Sequence, residues 1–174
     1  MLANYDARAL AKLFAGLTEY TFISELGLTD TQLVDYLSEM LTRFIHRDTI
    51  YAIKDASQRR LEEVAEMMVE AERPEHRGEK RREIFRHIGD FSLFWTGVYP
   101  EAINTRRNCF RKDSLISYFE QGKKSYFIAS TYSDTQEHAE QAPVLRRLSD
   151  QFELCAHGLR LVRAHWEESQ PPDA

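Results

Sequence analysis

Apolar residues along this chain recur at spacings of three and four, and no stretch alternates apolar with polar residues. That periodicity predicts helices throughout and no strands. A first helix is expected over Asp6 to Leu17, with Leu10, Leu13, Phe14 and Leu17 on one face. A short helical piece, TEYTFISEL, should stop at Gly27, a residue that readily ends helices. TDTQLVDYLSEMLTRFIH follows, capped by Thr29 or Asp30, with Leu33, Leu37, Met40, Leu41 and Phe44 toward the core. Residues 48–56 carry no clear period, and DTIYAI can continue as helix. The next helix is predicted from Ser57 through Glu72, packing Leu61, Val64, Ala65 and Met68 and turning Glu62, Glu63, Glu66 and Glu70 to solvent. Arg73-Pro74 ends it, and RPEHRGEK reads as an exposed linker.

A helix over residues 81–97 comes next, then a short one with Pro100 at its first position. NTRRNCFRK reads as a basic loop, and Asp113 as the cap of a helix through SLISYFEQGKKSYFIASTY. SDTQEHAEQ reads as a polar connection that can hold a helical turn. The final helix is predicted from Pro143 to about Glu168 and should be the longest, with SQPPDA as a disordered tail. Its Leu145, Leu148, Phe152, Cys155, Leu159, Val162 and Trp166 form a stripe at alternating spacings of three and four. The flanking Ser149, Gln151, Ala156 and Gly158 lack the charges of a two-stranded coiled coil, so the stripe suits a bundle before a dimer zipper. The expected fold is all-α: a single-domain helical bundle of six to eight helices over residues 1–168 with a long C-terminal helix.

Within the predicted helix 81–97, FRHIGDFSLFWTGVYPE places two ionisable residues among rings. At 100° per residue, Ile84, His87, Ile88, Phe91, Phe94, Trp95 and Val98 share one arc, and Asp90 lies at its edge. Gly89, Ser92 and Thr96 form a second face of small residues that admits a close neighbour. Leu93 falls on the far side. A histidine in this position reads first as a core residue bonded to a neighbouring helix. The alternative is a ligand pocket lined by His87, Asp90, Trp95, Tyr99 and Tyr126, where burial and a nearby carboxylate tune a titrating group. Glu83, His87 and Asp90 offer metal-ligating atoms on adjoining turns, but no second helix supplies a matching set, so no metal and no cofactor are expected.

Charge narrows the partners. The formal net charge is −5, with 8 Lys/Arg against 14 Asp/Glu up to Glu75 and 15 against 14 afterwards. An acidic balance gives no footprint for nucleic acid. ISELGLTDTQLVDYLSEML resembles a helix-turn-helix in outline over residues 23–41, with Gly27 in the turn. Its second helix opens with Asp30, Asp35 and Glu39, the wrong sign for phosphates, and Ile23 stands where the motif takes a small residue. The basic group Arg106, Arg107, Arg111 and Lys112 reads as a solvated face or as an anion or partner site. Cys109 and Cys155 form no metal-binding spacing, and Cys109 beside Arg107 and Arg111 is a candidate for a lowered thiol pKa. No run approaches the ~18 apolar residues of a membrane span, and Asp6, Arg8 and Lys12 interrupt what would be a signal peptide's apolar region. A cytoplasmic, non-membrane protein is expected.

Catalytic signatures such as G-x-S-x-G, G-x-x-x-x-G-K-[ST] or H-E-x-x-H do not occur. Tyr118, Phe119, Tyr126, Phe127 and Tyr132 crowd one helix, more rings than one core face takes. Together these features suggest a non-enzymatic module that binds a protein partner or itself, as a homodimer. The alternative is a small-molecule binder or an enzyme of unassigned chemistry with a pocket around His87 and Asp90.

Overall fold

The computed structural model describes residues 6–107 and 117–170, with the side chains of residues 104–107 excepted. Helix α1, Ala7–Glu19, starts at Asp6, whose carboxylate accepts from the Arg8 N–H. It runs directly into a π-helical turn, Tyr20–Glu25. Gly27 then takes the left-handed region at φ 67°, where a side chain would be strained, and ends the helix. Helix α2, Thr31–Phe44, is capped by Asp30, and Leu33, Leu37, Met40, Leu41 and Phe44 are all buried. Helix α3 is a single turn, Arg47–Ile50; α4 spans Val64–Ala71; α5 spans Glu79–Gly97; and α6, Pro100–Arg107, opens on proline. Helix α7, Tyr118–Ser130, is capped by Ser117, whose extended backbone (φ −81°, ψ 112°) interrupts the helix expected from Asp113; α8 covers Gln136–Asp150 from a Thr135 cap; and α9 covers Phe152–Ser169.

This is the expected all-α bundle around one continuous apolar core. Helix α5 is its axis: α7, α9 and α4 all pack on it, while α1 pairs with α2 and α8 with α7. Nearly its whole circumference is buried, including Leu93 on the side opposite the rings. The small-residue face does admit a close neighbour. A Cβ at Gly89 would lie 2.6 Å from the Tyr126 ring, so glycine is what lets α7 seat this tyrosine against the α5 backbone.

Several expectations need correction. The predicted helix from Ser57 starts only at Val64, because Asp55 accepts from the N–H groups of Ser57 and Arg59 and draws the chain into a turn. Lys54 and Arg60 form an antiparallel bridge across that turn, with Gln58 at φ 62°. Glu70, expected on the solvated face, is buried against His76, which lies in the segment read as an exposed linker. Residues 104–107, read as loop, continue α6. The predicted helix 143–168 is two helices, and the first starts at Gln136, inside the stretch read as a polar connection, because Thr135 caps it there. Gln151 (φ −113°, ψ 25°) separates α8, lying on α7, from α9, lying on α5 and α1. Pro143 sits on the exposed side of α8, where its missing N–H is tolerated. The longest described helix is therefore α5, at 19 residues against 18 for α9. The division and the extra turn α3 bring the described α-helices to nine.

The stripe survives the break. Leu145, Leu148, Phe152, Cys155, Leu159 and Val162 are all buried inside the chain, and Trp166 is half-buried. That seam is already used within the chain and offers little to a second copy.

Candidate functional site

Two regions of α5 hold the residues that the sequence brought forward. In the first, Asp90 is fully buried. Its Oδ1 accepts from the Tyr36 and Tyr126 hydroxyls, both at 2.7 Å, and its Oδ2 accepts from Arg43 Nη2 at 3.1 Å. Helix α2 supplies Tyr36 and, two turns on along the same side, Arg43, and α7 supplies Tyr126. Burial pushes both phenols well above their ordinary range, and the Asp90 charge pushes the same way, so they stay neutral donors. Arg86, one turn before Asp90, adds positive charge nearby and is itself held by Glu83 at 2.7 Å. Each polar group of the cluster is occupied by a neighbour in the chain.

His87 does not bond Asp90. Its Nε2 lies 2.9 Å from the Ile50 carbonyl at the end of α3, so the ring donates there. The imidazole sits between Phe44 and Phe91, with ring centroids 5.8 and 6.2 Å away. Burial pulls it below its ordinary 6.5; the Asp90 charge and the bond to Ile50 oppose this without reversing it. The ring is neutral, bonded and packed.

In the second region, toward the C-terminal end of α5, Trp95 and Tyr99 line a cavity of about 220 Å³ between α1, α2, α5 and α9. Phe44, Phe94, Val98, Leu159 and Val162 make its buried floor, and half-buried Ile45, Ile50, Trp95, Tyr99 and Trp166 its rim. Rings interlock around it: Phe94 lies edge-to-face on Phe44 and Trp95, and Phe14 on Trp166. The single charged group in the wall is Arg163. It stacks over the Tyr99 ring at 4.6 Å and donates to the Val98 carbonyl, Glu101 and Glu167.

The five residues proposed from the sequence as one pocket therefore separate. Asp90 and Tyr126 meet in the hydrogen-bonded cluster, Trp95 and Tyr99 meet at the cavity, and His87 lies between. Tyr36, Arg43, Arg163 and Trp166 were not foreseen as site residues. A tyrosine beside the α2 stripe and an arginine two turns on are the only sequence trace of the first pair. Arg111, Lys112, Cys109 and Asp113 lie outside the described residues, as do the side chains of Arg106 and Arg107. Cys155 is a free, buried thiol that burial pushes up to about 12, which leaves it unreactive. Among the described residues no three His, Cys, Asp or Glu side chains converge to hold a metal ion. No helix there is long and apolar enough to cross a membrane. Compared with known protein families, curated proteins and solved structures, the chain matches none.

Proposed function

We propose that this protein binds a small, neutral, apolar molecule in the cavity at Trp95 and Tyr99. The observation that carries this reading is the cavity itself: about 220 Å³ of space walled almost wholly by apolar side chains, in a core packed closely elsewhere. Apolar interiors normally leave few voids larger than a water molecule. A dry engineered cavity of ~150 Å³ already takes benzene, so this one suits two or three linked rings or an equivalent acyl chain. Arg163 argues for a neutral ligand, because its charge is already met by Glu101 and Glu167. No nucleophile lines the wall, which favours binding over catalysis.

The interaction-module reading loses one of its supports. Tyr118 and Tyr126 are buried, Phe119 packs edge-to-face on Phe152, Tyr132 accepts from Arg81, and Arg146 covers Phe127. Most of these rings find their partners inside the chain, and Phe127 alone among them stays exposed, at 41%.

Both tryptophans of the chain, Trp95 and Trp166, line the cavity, so the protein reports its own occupancy. N-phenyl-1-naphthylamine, a neutral probe that emits strongly only out of water, should bind one-to-one. We expect a Kd of roughly tens of micromolar, with transfer of tryptophan emission to the probe. Absence of saturable binding overturns the reading.

A further inference from the structure

The buried Glu70–His76 pair belongs to neither region. Glu70 is 6% and His76 8% exposed, and His76 Nε2 lies 2.6 Å from Glu70 Oε1. A carboxylate only accepts, so Nε2 carries a hydrogen, and in the neutral ring Nδ1 then holds the lone pair. Nδ1 is itself buried and has no hydrogen-bond partner among the described residues. An orphaned buried acceptor costs about 1–3 kcal/mol, so it calls for a reason.

The ring borders a cleft of about 610 Å³ between the turn at residues 52–58 and the start of α5. That volume lies within the range of small-molecule sites. Gln58 in its wall holds a left-handed backbone at φ 62°, a strained conformation of the kind that collects at binding sites. The charges in the wall are unequally engaged. Asp55 is taken by Arg59 and two backbone amides, Glu83 by Arg82 and Arg86, and Glu70 by His76 and Arg73. Lys54 and Lys80 have no ion pair among the described residues, and Glu75 alone opposes them.

We propose that this cleft is a second site, for a small hydroxylated oxyanion: a carboxylate or phosphate with a neighbouring hydroxyl. Lys54 and Lys80 receive the anionic group, and His76, oriented by Glu70, accepts the hydroxyl hydrogen at Nδ1. A lysine gives point-charge recognition that suits either anion.

The test is a titration of the full chain with glycerol 3-phosphate and, separately, glycerate, read on the imidazole nitrogens of ¹⁵N-labelled His76. Saturable shifts are expected with at least one of them, below about 10 mM. Which ligand saturates tells phosphate from carboxylate. Lys80→Ala, an exposed change that spares the fold, should weaken binding about tenfold. His76→Asn, followed on the backbone amides of the cleft, should do the same. The proposal is overturned if neither ligand shifts His76, if Lys80→Ala binds like wild type, or if inorganic phosphate and acetate bind as well as their hydroxylated counterparts. Loss of probe binding at Trp95 leaves this result untouched, since the two sites share no residue.

Discussion

Helix α5 carries a polar region and an apolar region, and the two use their side chains in opposite ways. Around Asp90, two hydroxyls and a guanidinium converge on one carboxylate and engage both of its oxygens. Around Trp95, rings from α1, α2, α5 and α9 line an open-mouthed space and hold almost no polar group. The residues that look most like chemistry are thus the ones already engaged within the chain. The residues that look most like ordinary core are the ones that leave room. Ionisable side chains inside a core mark a site only where some of their capacity stays open. By that criterion His76 is a better candidate than His87.

The largest effect expected is at the polar cluster. Asp90→Ala leaves Tyr36 and Tyr126 with unpaired buried hydroxyls and Arg43 without its counter-charge, at a cost of about 3–5 kcal/mol. Chemical denaturation measures it, and a loss below about 1 kcal/mol would mean that the cluster does not hold the bundle together. His87→Ala should follow at about 2–4 kcal/mol, since it removes a packed ring and orphans the Ile50 carbonyl. The melting temperature falls accordingly, while probe binding persists. A melting point that holds or rises, with binding lost, would move the functional site to His87.

Gly89→Ala sets a methyl group against Tyr126, which Asp90 and α2 hold in place, so about 1–3 kcal/mol should be lost by overpacking. If the variant is as stable as wild type, α7 is free to slide and the cluster is looser than described. The smallest effect is in the response to pH. His87 is held below its ordinary 6.5, so below that pH the unfolded chain binds a proton that the folded one refuses. Stability from this source is complete above about 6.5 and declines as pH falls toward 5. Urea titrations at pH 7 and pH 5.5 should show a shallower decline for His87→Gln than for wild type. Parallel declines would mean that another group carries the acid sensitivity.

Much of the frame was readable from spacing alone. The stripe of α2, the Pro100 start of α6 and the centrality of α5 follow from periodicity and turn chemistry. So does the small face at Gly89, because a missing Cβ is visible in a sequence. The division at Gln151 was not legible, since the stripe keeps its spacing of three and four straight through it. Nor was the burial of Glu70. A glutamate on a charged face reads as solvated until His76, six residues away on the next loop, supplies its partner. For the candidate site, sequence gave Trp95 and Tyr99 but joined them to the wrong companions. Phe14, Phe44, Val162 and Trp166 reach the same cavity from three other helices, and no local pattern records that convergence.

The most direct measurement is a titration of N-phenyl-1-naphthylamine into three chains: wild type, Val162→Phe and Tyr126→Phe. Val162 lines the cavity floor, and a phenyl ring there takes up part of the space. Tyr126→Phe removes one hydrogen bond from the Asp90 cluster and costs about 1–2 kcal/mol of stability without touching the cavity. The account predicts equal binding by wild type and Tyr126→Phe, and binding at least about tenfold weaker in a folded Val162→Phe. Binding kept by Val162→Phe but lost in Tyr126→Phe would contradict it, and would place the function at the polar cluster.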